Sequence, residues 1–182
     1  MRDQDHLILI AVGPDKVGLV QKISEFIVNR GGNIEDSRMA VLAGEFAQIL
    51  LITGEDENLD QISKSISHLS KETGLAVWLK EPSGKKVPRP SLPYRLVASC
   101  MDHPGVVYRI TSTLSKFEVN IESMETQTYP APVTGVPMFR LEAIVTIPAG
   151  QQRKTVREAL SEIEREENID LEFGPVTGSS IS

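Results

Sequence analysis

The sequence predicts an α/β (α+β) protein built from two ferredoxin-like βαββαβ domains in tandem. Three observations predict it: a set of residues recurs at one fixed spacing, each half runs through the same order of strand-like and helix-like periodicity, and a proline-rich stretch lies between the halves. Asp15-Lys16-Val17-Gly18 is echoed by Asp102-His103-Pro104-Gly105, and Asn33-Ile34-Glu35 by Asn120-Ile121-Glu122. The separations 102 − 15, 105 − 18 and 120 − 33 all equal 87. A constant, ungapped offset marks a duplication, and two copies are too few for a solenoid.

In copy one, the unbroken apolar run His6–Val12 reads as a buried strand. Gly18 opens a helix with Leu19, Val20, Ile23, Phe26 and Ile27 on one face, and Gly31-Gly32 stops it. Ile34–Leu42 and Glu45–Thr53 read as strands around a turn at Ala43-Gly44. Leu59, Ile62, Ile66 and Leu69 space a second helix, and Leu75–Leu79 closes the module. Copy two repeats the order: a strand at Tyr94–Cys100, a helical stripe of Val107, Ile110, Leu114 and Phe117, and strands near Ile121–Thr128 and Met138–Ile147. A helix with Val156, Leu160 and Ile163 follows, then a strand at Ile169–Phe173. The loop Tyr129–Pro137 is several residues longer than its counterpart, so the offset of 87 fails beyond it. Two crossover helices in this order give the split βαβ arrangement, with both helices on one face of a four-stranded sheet.

Between the copies, Glu81–Pro93 holds four prolines and Gly84, which forbid a helix or central strand and favour an extended connector. The expected domains are 1–80 and 94–174, with a linker at 81–93 and a tail at 175–182. The three basic residues of the linker form a short, interrupted run, which is more often a solvated connector than a nucleic-acid arm.

Composition narrows the function classes. Hydrophobic residues make up 40% of the 182 residues and charged ones 24%, enough for packed soluble cores. Net charge is −6 and aromatics are 5%, which disfavours direct nucleic-acid binding through phosphate attraction or base stacking. Cys100 is the single cysteine, so no internal disulfide forms and a reducing compartment is expected. No signal-peptide pattern and no membrane-length apolar run is visible, so the expected location is cytoplasmic, with no membrane partner. His6, His68 and His103 are scattered without metal-ligand spacing, and neither a catalytic constellation, a metal site nor a cofactor is expected. Trp78 reads as packing, and Glu35 and Arg38 as exposed strand charges. The near-continuous apolar strands of copy one predict a sheet covered on both faces through self-association, hence a homo-oligomer.

The repeated motifs carry the candidate site. At each Asp-x-x-Gly the chain leaves a strand and enters a helix, whose free N–H groups and dipole suit a carboxylate. Gly18 and Gly105 permit unusual φ and close approach of a ligand. Asp15 and Asp102 can accept from an ammonium, and Asn33 and Asn120 offer both donor and acceptor. These groups suit a zwitterionic amino acid. Each also has a purely structural reading, with Asp as an N-cap and Gly and Asn as turn formers.

Asp-x-x-Gly after the first strand and Gly-x-Asn-Ile at the second resemble the ACT domain, a small amino-acid-binding regulatory module, over both copies. Gly32-Asn33-Ile34-Glu35-Asp36-Ser37-Arg38, with Gly44-Glu45-Phe46 downstream, is similar to the tandem-ACT repressors of the glycine cleavage system. Members of that family bind no DNA themselves and act on a LysR-type activator. The resemblance implies a non-enzymatic regulator that binds a small amino acid, glycine being the first choice, and a protein partner. It places ligand-facing positions at Asp15, Val17, Gly18, Leu19, Asn33 and Ile34, and at Asp102, Gly105, Val106, Asn120 and Ile121. Asn33 is expected to close a pocket at Gly18. Pro104 fits the ACT pattern and Val17 departs from it, and Pro104 lacks an N–H, so the two pockets differ chemically. Two other readings are a regulatory subunit of an enzyme such as acetolactate synthase, which carries a similar Gly-x-Asn-Ile stretch, and an orphan of the amino-terminal part of formyltetrahydrofolate deformylase.

Overall fold

The structure is a computed structural model and describes residues 5–83, 91–148 and 153–176. The chain divides into two compact units, Met1–Lys86 and Val87–Ser182. Most of the expected linker and tail, residues 84–90 and 177–182, lies outside the described residues.

Module one consists of β1 (Asp5–Pro14), α1 (Leu19–Val28), β2 (Asn33–Leu42), β3 (Glu45–Gly54), α2 (Asp56–Thr73) and β4 (Ala76–Lys80). Module two repeats it as β5 (Ser91–Met101), α3 (Val106–Lys116), β6 (Asn120–Pro130), β7 (Pro137–Pro148), α4 (Arg153–Glu167) and β8 (Asp170–Pro175). The sheets are ordered β2-β3-β1-β4 and β6-β7-β5-β8, and every adjacent pair is antiparallel. This is the ferredoxin-like arrangement expected from the element order. β1, β5, β6 and β7 begin earlier and end later than apolar runs indicate, because pairing continues through polar and proline ends, whereas β4 and β8 begin one residue later. β5 starts at Ser91, inside the expected linker, with Leu92 opposite Ile147.

Each module has its own core. In module one, Leu9, Leu50 and Ile52 on the sheet meet Ile23 and Ile27 of α1 and Ile62 and Leu69 of α2. In module two, Leu96, Leu141 and Val145 meet Ile110 and Leu114 of α3 and Val156 and Leu160 of α4. The two clusters share no residue. Val20 departs from expectation: it is 42% exposed, because Leu19, Ile23, Phe26 and Ile27 already fill the buried stripe of α1.

The register fixes the correspondence between copies past the long loop. Asn33 faces Thr53 and Asn120 faces Thr146, so the offset in β7 is 93 (146 − 53). Val77 and Leu171 face the equivalent residues Ala11 and Ala98, so the last strand is offset by 94 (171 − 77). A β-bulge recurs between Ile34 and Asp36 and between Ile121 and Ser123. In module one the hairpin is a two-residue turn with positive φ at Ala43 and Gly44, the geometry that matches strand twist.

The faces of the sheets away from the helices differ. In module one that face carries Ile8, Ile10, Ile49, Leu51 and Trp78, with Ile49 45% and Trp78 55% exposed. Trp78 therefore packs outside its module's own core, beside Ile10 on an apolar face left exposed in the single chain. In module two the corresponding face carries Arg95, Arg140, Glu142 and Glu172. Glu142 accepts from Arg95 at 2.7 Å and from Arg140 at 2.8 Å, and these guanidiniums, Arg95 foremost, hold its carboxyl below the usual range.

Two outcomes follow from this architecture. Cleavage within residues 84–90 leaves each fragment its own sheet and core, so circular dichroism should show two folded halves; loss of secondary structure in both would contradict independent folding. The turn after α1 puts Gly31 at φ 76, and the matching turn after α3 puts Glu118 at φ 53. A residue with a Cβ is strained there by about 1–2 kcal/mol. Glu118→Gly should raise stability by roughly 0.5–1 kcal/mol after the added unfolded-state entropy is subtracted, read from denaturant melts.

Candidate functional site

The candidate site begins at the start of α1. Its N-cap is Gly18, left-handed at φ 92, and no side chain caps it. Asp15 is exposed and lies three residues before the cap; its backbone N–H donates to Gly44 O at 2.9 Å and ties the loop to the β2–β3 turn. The N-cap role open to Asp15 from sequence is therefore not the one it plays. Lys22 N–H closes the first helical bond to Gly18 O at 3.0 Å. Of the N–H groups ahead of it, that of Leu19 donates to Lys16 O at 3.4 Å, and those of Val20 and Gln21 point out of the helix with the positive end of the dipole behind them. Beyond its two chain neighbours, no described atom lies within 4 Å of where a Cβ on Gly18 would stand, so the outer side of the turn is open.

Module two reproduces the turn. Gly105 caps α3 at φ 101, again without a side-chain cap and with open space outside it. Asp102 N–H donates to Pro137 O at 2.9 Å, and Arg109 N–H to Gly105 O at 2.9 Å. The difference is Pro104, where module one has Val17. Val17 is fully exposed. Leu19 and Val106 are 4% and 2% exposed, so their side chains belong to the cores and only their backbone faces the turn. Ile34 and Ile121 are half-buried and pack against the cores in the same way.

One expectation fails on geometry. Asn33 opens β2 in the row of Thr53 and His6, whereas the Gly18 turn follows Pro14, in the row of Glu45. Eight strand residues separate the rows, about 27 Å at the usual rise. Asn33 therefore cannot close a pocket at Gly18 of its own module, because α1 carries the chain from one end of the sheet to the other. Asn120 is placed like Asn33, and its Nδ2 donates to Glu122 Oε1 at 2.6 Å. Of the remaining strand charges, Glu35 meets His6 Nε2 at 3.1 Å and Arg38 pairs with Asp36.

Other chemistry is thin. Cys100 is buried, and burial first, then Asp102 and Glu167, pushes its thiol up, so it is a poor thiolate at neutral pH. Among the described residues no group of three or more metal-ligating side chains comes together, and no helix is long and apolar enough to cross a membrane. A groove of about 820 Å³ in module two is lined by Arg95, Val97, Glu142, Ile144, Arg157 and Phe173 among others. None of the sequence-derived positions lines it; its residues come from three strands and a helix and share no motif.

Comparison with known proteins follows the same lines. Residues 5–80 match the family model of the ACT domain. The glycine cleavage system transcriptional repressors of Escherichia coli (strain K12) and of Shigella flexneri are each 26% identical over 161 residues, covering 87% of this chain and 84% of theirs. A crystal structure of an unknown protein from Galdieria sulphuraria superposes with a TM-score of 0.81 at 29% identity, over 96% of this chain and all of that one. A crystal structure assigned to a glycine cleavage system transcriptional repressor gives a TM-score of 0.72 at 19% identity, over 96% of this chain and 99% of that one. The first module thus matches the ACT domain, the second repeats its fold, and the chain over most of its length is similar to the glycine cleavage system transcriptional repressors.

Proposed function

We propose that the chain is a non-enzymatic regulator that senses a small amino acid and controls transcription of the glycine cleavage system through a protein partner. The observation that carries this reading is the uncapped start of α1 at Gly18. It offers free N–H groups, a favourable dipole and open space, which together suit an α-carboxylate. Module one is the better site, because Val17 keeps the N–H that Pro104 lacks. Glycine is the first ligand to test, and a LysR-type activator the first partner. Similarity to the repressor supports transcription over the alternative of an enzyme's regulatory subunit. The net charge of −6 supports action through a protein rather than on DNA. The exposed apolar face around Trp78 is the surface we assign to self-association.

Calorimetry against the twenty amino acids tests the ligand. Gly18→Val forces a branched residue into a left-handed conformation and crowds the turn, so binding should fall at least tenfold; Gly105→Val should strain module two similarly but change affinity less. Loss confined to Gly105→Val would place the dominant site in module two, and equal loss in both would overturn the preference for module one. In a mobility-shift assay at physiological salt, the purified protein alone should leave its target promoter unshifted. A sequence-specific shift without any partner would overturn the partner-mediated mechanism.

A further inference from the structure

The groove of module two, about 820 Å³, has a volume usual for small-molecule sites. Val97 of β5 lies at its floor, 6% exposed, with Glu142 of β7 opposite on one side and Glu172 of β8 opposite on the other. Two residues along β5, Arg95 stands opposite Gly174. Beyond its chain neighbours, no described atom lies within 4 Å of where a Cβ on Gly174 would stand, so the groove is open at the β8 edge of the sheet. Arg157 of α4 lines the same groove.

The charges of the groove fall into two kinds. Glu142 is already occupied: its Oε2 accepts from Arg95 at 2.7 Å and its Oε1 from Arg140 at 2.8 Å. Arg157 and Glu172 are exposed and make no hydrogen bond or ion pair among the described residues, with each other or with any other group. A cation and an anion that line one groove without meeting leave room between them for a molecule carrying both signs. Module one has no counterpart. By the register, Ile8, Ile49, Trp78 and Lys80 stand where module two has Arg95, Glu142, Glu172 and Gly174. The fold therefore does not require charge on this face, and glycine in place of lysine takes a long side chain away from the edge of the groove.

We infer that this groove is a second amino-acid site, separate from the helix-start turns: the ligand carboxylate binds Arg157, its ammonium binds Glu172, and its apolar side chain lies on Val97. Each charged group of the ligand meets the protein charge that has no partner, and hydrogen bonds between guanidinium and carboxylate are among the stronger ones. One unpaired charge of each sign favours a zwitterion over a dicarboxylate. The apolar floor favours a side chain of the leucine kind over glycine, because burying it adds to the binding. The site does not depend on the reading of the Gly18 turn.

The test titrates valine, leucine, isoleucine, methionine and phenylalanine into the full chain and into its Arg157→Met, Glu172→Gln and Gly18→Val variants, beside ligand-free thermal melts. At least one of the five should bind the parent. Its affinity should be about tenfold weaker or worse in Arg157→Met and in Glu172→Gln, and parent-like in Gly18→Val. The melts of both groove variants should match the parent, because both side chains are exposed. The deaminated leucine analogue 4-methylpentanoate should lose nothing in Glu172→Gln, since it brings no ammonium to that carboxylate; a loss there would overturn the ammonium contact. Parent-like amino-acid affinity in either groove variant would overturn the site. So would binding lost in Gly18→Val, which puts the ligand at the helix start, or a lowered melt in both groove variants, which makes their role structural. If none of the five binds the parent, the proposal falls while the Gly18 reading, tested with glycine, stands apart.

Discussion

The turn that carries the chain from the first strand of each module onto the sheet is the constraint on which the rest depends. Gly18 and Gly105 sit at φ 92 and 101, where a side chain is strained, and from there the helix runs back across the sheet. That reversal brings Leu19 and Val106 into the cores and leaves the first N–H groups of each helix uncapped. A second tie, from Asp15 N–H to Gly44 O and from Asp102 N–H to Pro137 O, fastens the loop to the opposite hairpin. Packing and exposed chemistry thus come from one local geometry: residues that would cap the helix more firmly would also occupy the site.

Most of the architecture was legible in the sequence because periodicity and punctuation agree with the fold. The apolar stripes of α1 and α3, the glycine stops and the offset of 87 all have direct counterparts. Side-chain exposure was less legible. Trp78 reads as packing because large aromatics are usually buried, yet its row falls on the face away from the helices. Asn33 was joined to Gly18 on the strength of motif company. The element order already opposes that pairing, since a strand-to-helix turn and the following helix-to-strand turn lie at opposite ends of a sheet.

The duplication preserved backbone geometry more strictly than chemistry. The bulge, the left-handed turns and the hairpin tie recur, while the side chains at matched places diverge. Gly31 becomes Glu118, which keeps the left-handed turn with a less suitable residue. Gly32, against which a Cβ would meet Ile62 at 2.8 Å, becomes Val119, so the helix packing around it has been rebuilt. The exposed apolar face of module one becomes the Arg95–Glu142–Arg140 network. Two modules that keep one fold and differ on the sheet face away from the helices are suited to different neighbours.

On the proposed reading, an uncapped helix start is also how binding becomes a signal. A ligand carboxylate at Gly18 supplies the cap that the sequence omits. That interaction exists only in the folded, liganded module, so its free energy adds to its stability: a ligand at one hundred times its Kd contributes about 2.7 kcal/mol. The stabilised segment comprises the α1 start, the loop tied to Gly44 and the adjacent half of β2, which is exposed along its length. Ligand-dependent ordering of that segment would change the surface offered to a protein partner without any change of fold, and the partner would need only a differential affinity for the two states.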